Sequence, residues 1–141
     1  MNYGEQMTKE SGRFEIEYRL RERERFLRTL IGNLPGVVYR CRTDAQFTSE
    51  FLSDGCQELT GYTAEELVQT RAATWDKIIH PEDRERIRAE IRALMKDNGA
   101  FGTPPLEIAY RIVARDDSIK HVRDRFRFIN DSAGKITALE G

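Results

Sequence analysis

No apolar run in this sequence approaches the length needed to cross a bilayer, and the N-terminus lacks the hydrophobic core of a signal peptide. Cysteine is scarce. Cys41 and Cys56 are the only two, in segments that read as a strand and a short helix. No disulfide framework is expected, and a reducing cytoplasm is the default compartment. An excess of either charge is also missing: 23 basic residues stand against 24 acidic ones, so the chain has no electrostatic pull toward nucleic acid or an anionic membrane surface. The candidate soft metal ligands, Cys41, Cys56, His80 and His121, show no close paired spacing, which argues against zinc. Gly99 and Gly102 flank no helix start, so there is no phosphate-cradling loop. No Ser or Cys is paired to a base by a recognisable motif, and no enzymatic activity is expected. What remains is a 141-residue chain, 39% hydrophobic and 33% charged, that reads as one globular domain with an ion-rich surface and an appendage.

The stretch 37–67 organises the rest. Val37, Tyr39 and Cys41 alternate with Arg40 and Arg42, the period-2 pattern of a half-buried strand. A polar break at Thr43-Asp44-Ala45-Gln46 leads to a second β-favouring run, 47–52. Asp54-Gly55 opens a very short helix that Gly61 stops as a left-handed cap, and Thr63-Ala64-Glu65-Glu66 has the form of a capping box for the next one.

Upstream, residues 1–12 are polar, contain Gly4 and Gly12, and read as a frayed end. The pattern turns helical over 13–33. Leu20, Leu27 and Leu34 are spaced by sevens, Ile16 and Leu30 occupy the companion seam, and Arg23 interrupts it. Phe14, Tyr18 and Ile31 are read as widening the stripe. Two readings stand: a helix packing on its own domain, or a short coiled-coil segment that pairs chains through Phe14, Ile16, Tyr18, Leu20, Leu27, Leu30 and Ile31. Breakers at Asn33-Leu34-Pro35-Gly36 place the boundary between a 1–33 segment and a 34–141 domain.

Downstream, Pro81 suits the first position of a helix, with Glu82 and Asp83 at the positive end of its dipole. That helix runs to about Asn98-Gly99, with Ile87, Ile91, Leu94 and Met95 as its apolar face and Arg84, Glu85, Arg86, Arg88, Glu90 and Arg92 outward. A Gly/Pro loop follows over 99–105. Three alternating runs then close the chain: 107–115, 119–130 and 135–140, joined by turns at 116–118 and 130–134. Two strands, a helical crossing and three strands predict an α+β fold: a five-stranded antiparallel sheet with helices on one face, preceded by an N-terminal amphipathic helix.

That order, with these residues in it, resembles the PAS domain family. The matching features are Tyr39-Arg40, Ser53-Asp54-Gly55 leading to Leu59-Thr60-Gly61-Tyr62 and Glu65-Glu66-Leu67, and Trp75 before Ile79-His80-Pro81-Glu82-Asp83-Arg84. Tyr110-Arg111-Ile112 and the closing Gly134 to Gly141 complete the set. Two departures stand out. Asp116-Asp117 occupies a hairpin where relatives have Asp-Gly, so Asp117 is expected to turn left-handed. His121 stands where relatives often carry Trp.

The resemblance implies a sensory or protein-interaction module excised from a larger cytoplasmic signalling protein of the histidine kinase or diguanylate cyclase type. Relatives continue with an Asp-Ile-Thr motif just past the point where this sequence stops. Expected partners are a second copy of the chain and a C-terminal output domain, with no nucleic acid and no direct membrane contact. The implied site is the cavity between sheet and helices, lined by Tyr39, Phe51, Leu59, Trp75, Ile79, Tyr110, Phe126 and Phe128. It would suit a small organic ligand, unless these side chains simply fill it at ordinary density. No cofactor is predicted. The alternatives are a haem- or flavin-loaded sensor, or a purely structural dimerisation module with a filled core. Against flavin, Cys56 lies in Asp54-Gly55-Cys56-Gln57-Glu58, not in the Asn-Cys-Arg-Phe-Leu-Gln motif of the light-sensing type. Against haem, His80 begins the long helix rather than lying within it. His121, Arg123, Arg125, Arg127, Arg111, Arg115, Arg40 and Arg42 are read as one basic stripe on the opposite sheet face. The acidic residues of the N-terminal helix could cover it.

Overall fold

The alternation that marks the strands is matched by their burial. The structure, a computed structural model, describes residues 2–97 and 104–141. Its strands are β1 (Tyr39–Arg42), β2 (Ser49–Leu52), β3 (Leu106–Val113), β4 (Ile119–Asn130) and β5 (Ile136–Glu140). Every pairing is antiparallel and the spatial order is β2-β1-β5-β4-β3. In β3, Ile108, Tyr110 and Ile112 are buried, and β4 turns Phe126 and Phe128 inward, as side chains of like parity must. The rings of Phe126 and Phe128 meet edge to face, 5.5 Å between centroids.

Between β2 and β3 the chain forms α2 (Gly55–Thr60), a π-helical turn (Glu65–Gln69), α3 (Trp75–Ile78) and α4 (Pro81–Asp97). Gly61 ends α2 at φ 81°, and a Cβ there would lie 2.9 Å from the Cβ of Arg115. The capping box forms: Glu66 N–H donates to Thr63 Oγ1 at 3.2 Å and Thr63 N–H to Glu66 Oε1 at 3.3 Å. It opens the π-helical turn rather than a regular short helix. Leu67, Ile78, Ile79, Ile87 and Ile91 carry these segments into one core with Cys41, Leu52, Cys56, Ile108, Tyr110, Ile112, Phe126, Phe128 and Leu139. Asp117 does adopt the left-handed conformation, at φ 65°. The expected 99–105 loop falls largely on residues 98–103, outside the described residues.

The open edge of β3 is satisfied by the helical segments, which keeps an exposed strand edge from remaining unpaired. His80 N–H donates to Arg111 O at 2.9 Å, Arg111 N–H to Asp83 Oδ2 at 2.9 Å, and Arg115 N–H to Thr60 O at 2.8 Å. The Arg111 guanidinium also grips Asp83, and its bonds hold that carboxyl well below the usual carboxylate range.

These contacts correct the reading of a single basic stripe. Arg111 turns to Glu82 and Asp83, and Arg115 to Glu66 and the Tyr62 ring. Arg40 and Arg42 pair with Glu50, Arg40 also with Glu140, and Arg123 with Glu107. His121, Arg123, Arg125 and Arg127 do share an exposed face.

The segment Met1–Leu34 and the domain Pro35–Gly141 are separate compact units. The first is a single helix, α1 (Tyr3–Asn33), which begins ten residues earlier than expected. Asn2 caps it, its side chain accepting from Gly4 N–H at 3.2 Å, and the helix continues through Gly4 and Gly12. Glu15–Arg19 and Glu22–Arg25 pairs bridge successive turns. At 3.6 residues per turn, Ile16, Leu20, Leu27 and Ile31 fall on one side. Phe14 and Tyr18 fall on roughly the opposite side with Tyr3 and Met7, so they form a second stripe instead of widening the first.

Candidate functional site

β1, β3 and β4 present Tyr39, Tyr110 and Asp124 to the same interior space, and α3 brings Trp75 to meet them. Asp124 takes the inward slot of β4 between Val122 and Phe126. Tyr39 Oη donates to Asp124 Oδ1 at 2.8 Å and Tyr110 Oη to Oδ2 at 3.0 Å. Trp75 Nε1–H in turn donates to Tyr110 Oη at 3.0 Å. Both carboxylate oxygens thus accept from phenols, and the second phenol accepts from the indole. Burial pushes the Asp124 carboxyl up, against the lowering effect of the two phenol bonds. Burial and the neighbouring carboxylate also push both phenols up, so they remain donors.

This network walls a cavity of about 60 Å³ lined by Tyr39, Cys41, Phe47, Ser49, Leu52, Trp75, Asp76, Ile79, Ile87, Arg88, Ile91, Ile108, Tyr110, Asp124 and Leu139. Phe47 reaches it because the residue turns left-handed at φ 49° after the β1–β2 break, where Asp44 Oδ1 accepts from Thr48 N–H at 2.9 Å. At the cavity's other side Arg88 holds Asp76 bidentately through Nε and Nη2, with the Nε bond at 3.1 Å. The charge pattern of α4 predicts Arg88 as an outward residue, whereas its side chain lines the cavity. Arg84 also folds back, donating to the carbonyls of Ile79 and Lys77 at 3.0 and 2.7 Å.

Of the eight residues expected around the cavity, Tyr39, Trp75, Ile79 and Tyr110 line it. Phe126 and Phe128 are buried in the core behind it. Leu59 lines a separate open groove that shares Tyr39, Leu52, Trp75, Tyr110 and Asp124 with the cavity. Phe51 is misplaced by the sequence reading: it is 45% exposed, because Leu52 takes the inward position of β2. Sequence reasoning missed Asp124, Phe47 and Arg88. The residues expected on the helix interface are all on α1. Phe14, Ile16, Tyr18, Leu20, Leu27 and Leu30 are exposed and Ile31 is half-buried.

The cavity does not fit a porphyrin or a flavin ring as it stands. Its volume of about 60 Å³ is far below the roughly 300–1,000 Å³ of sites for drug-sized ligands. Neither histidine lines it. His80 instead accepts from Glu82 N–H at 3.2 Å through Nδ1, at the start of α4. Cys41 does line it, but burial pushes its thiol up to about 12, so it stays protonated and unreactive. Cys56 is fully buried, and burial raises its thiol too. Among the described residues no group of three or more His, Cys, Asp or Glu is placed to hold a metal ion. Among the described residues no helix is long and apolar enough to cross a membrane.

Comparison with known proteins adds the family. The chain is 29% identical over 118 residues to a methyl sulfide methyltransferase-associated sensor of Methanosarcina acetivorans. The match takes in 84% of this chain and only 11% of that protein's length. Among solved structures, it is similar to the PAS domain of an HTR-like protein from Haloarcula marismortui. That likeness has a TM-score of 0.65 at 19% identity and covers 89% of this chain and 94% of the other. It is also similar to the N-terminal domain of a diguanylate cyclase with PAS/PAC sensor from Marinobacter aquaeolei. There the TM-score is 0.59 at 20% identity, with 74% and 89% covered. Residues 49–141 match the family profile described as PAS fold, which spans β2 to β5 and every helix between them, so the chain belongs to the PAS fold family.

Proposed function

We infer that this domain is a cytoplasmic signal-input module without catalysis of its own, one that regulates a covalently linked output domain of the histidine kinase or diguanylate cyclase type. The observation that carries this reading is the short path from the cavity wall to the end of β5. Tyr39, whose phenol holds Asp124, exchanges two backbone bonds with Gly141, at 2.8 and 3.1 Å. A small organic molecule entering the cavity would displace or reorient the Tyr39–Asp124–Tyr110–Trp75 network. Any shift of Tyr39 would then bear directly on residue 141. In energetic terms, the ligand need only prefer one arrangement of this network over the other.

Homodimer formation through α1 belongs to the same reading. Two apolar stripes on a largely exposed helix supply one surface for a second copy and leave another for a different neighbour. A shift at β1 and β5 would then be read out as a change in how the flanking helices pair.

The test is a thermal melt of the full chain against a panel of small metabolites of up to about six heavy atoms, the number a cavity of about 60 Å³ admits. At least one compound is expected to raise the midpoint in a concentration-dependent way. If none does, the ligand-input reading fails and a purely structural dimerisation role replaces it. Visible absorbance in the purified protein would instead favour a haem or flavin sensor.

A further inference from the structure

The cavity joins electron-rich rings to a carboxylate whose charge nothing in the wall neutralises. Tyr39, Phe47, Trp75 and Tyr110 line it, and Asp124 completes it. Asp124 has hydrogen-bond donors for both oxygens, but they are neutral phenols. Arg88 is the one cationic side chain among the described lining residues, and its Nε and Nη2 are both committed to Asp76. Cys41, also in the wall, is an uncharged thiol. On the groove side of the network, Arg123 is paired with Glu107 at 3.0 Å, and both Arg123 and Arg125 are exposed. Asp124 is half-buried, and an anion drawn partly out of water without a counter-charge carries a desolvation cost. Faces of Trp, Tyr and Phe attract a cation brought within about 6 Å. Together these features describe half of an ion pair inside an aromatic enclosure.

We propose that the ligand of this cavity is a small organic cation, a methylated ammonium or sulfonium, held between the Tyr39, Phe47, Trp75 and Tyr110 rings and charge-paired with Asp124. The proposal rests on the reading of the domain as a ligand-input module and names the chemistry of that ligand. Size limits the class. A water needs roughly 10–15 Å³ of such space, so about 60 Å³ admits roughly four to six atoms of that size. Tetramethylammonium and its sulfonium analogue fall within that range, whereas choline and longer betaines exceed it. Full methylation also suits the site, because both Asp124 oxygens already accept one bond each and the remaining wall is largely aromatic and aliphatic side chains. Such a ligand gains from charge and dispersion without needing N–H donors.

The experiment titrates the full chain with tetramethylammonium chloride, with tert-butanol as a neutral isostere and with isobutyrate as an anion of similar size. Potassium chloride fixes the ionic strength. Trp75 is the sole tryptophan of the chain and sits in the network, so its fluorescence reads occupancy directly. The expected result is saturable quenching or shift by tetramethylammonium, with at least ten-fold weaker response to tert-butanol and none to isobutyrate. Asp124→Asn should fold and lose at least ten-fold in cation affinity. If that variant does not fold, Phe47→Leu serves instead, weakening the cation several-fold while leaving tert-butanol unchanged. Equal or tighter binding of the neutral or anionic isostere overturns the cation assignment but leaves ligand input standing. Undiminished cation binding by Asp124→Asn overturns the charge pairing. If none of the three probes binds but the metabolite panel contains a neutral or anionic hit, only the cation chemistry falls. If the panel is silent as well, the ligand-input reading falls with it.

Discussion

Removing the Tyr39 hydroxyl should cost more than removing an ordinary neutral hydrogen bond, and the excess should vanish when Asp124 is neutral. A hydrogen bond to a charged group is worth about 1.5–3 kcal/mol, against about 0.5–1.5 for a neutral pair. Tyr39→Phe takes one donor from Oδ1 of Asp124. The adjoining cavity has room for water to replace that donor, so the lower end applies, about 1.5 kcal/mol. Tyr110→Phe removes the donor to Oδ2 and also orphans the Trp75 indole N–H. Tyr110 is 6% exposed, so water compensates less there, and about 2–3 kcal/mol is expected. In an Asp124→Asn background the Tyr39 bond becomes neutral and Tyr39→Phe should cost about 0.5 kcal/mol. The cycle therefore predicts a coupling of about 1 kcal/mol between Tyr39 and Asp124, above the roughly 0.3–0.5 kcal/mol within which independent sites add. Urea titration of the full chain followed by Trp75 fluorescence measures it. With a slope of about 1–3 kcal/mol/M, Tyr39→Phe should move the midpoint by roughly 0.5–1.5 M. A coupling indistinguishable from zero, or Tyr39→Phe costing more than Tyr110→Phe, would refute the charged-network description.

Other expectations follow from the same contacts. The Asp83 carboxyl is held below its usual range by Arg111, so its contribution is present above an unfolded value of about 3.9 and is lost as pH falls through the folded value. The urea midpoint of the wild type should thus fall more steeply below pH 4 than that of Asp83→Asn, and parallel curves would contradict the assignment. Gly61→Ala should destabilise by about 1–2 kcal/mol in a thermal or urea melt. It forces a side chain into φ 81° and toward the Cβ of Arg115, and a neutral effect would mean that the cap is dispensable. Ile112→Ala, at a fully buried site, should cost about 2–5 kcal/mol by the same melts. Leu27→Glu on α1 should lower the mass seen by light scattering if that stripe pairs copies of the chain, and an unchanged mass would remove α1 from assembly.

The sheet was legible because its signals are local and redundant. Ile108, Tyr110 and Ile112 alternate with polar residues, Gly61 sits where only a left-handed residue fits, and Asp117 closes a hairpin too tight for a right-handed one. Errors arose where parity was lost or carried an unusual residue. Phe47 leaves the strand for a left-handed turn, so β2 begins at Ser49, and within it Leu52 rather than Phe51 takes the inward position. Arg88 looked like one more solvated charge on α4, and its bond to Asp76 joins residues twelve apart that no helical spacing relates.

Asp124 is the most instructive case, because its position was available from the pattern of β4 and its chemistry argued the other way. Period 2 places it between Val122 and Phe126, facing in, yet a carboxylate ordinarily marks the solvent side. Two tyrosines from β1 and β3, 85 and 14 residues away, resolve the conflict by donating to it. Sequence spacing alone does not announce that convergence. The network also carries a cost. Each phenol satisfies a hydrogen bond, but none cancels a charge, so the carboxylate keeps a desolvation cost. A position that carries this cost beside a cavity is where the proposed ligand input would act. An Asp124→Asn variant that is as stable as the wild type yet no longer responds to the cation would show that trade directly.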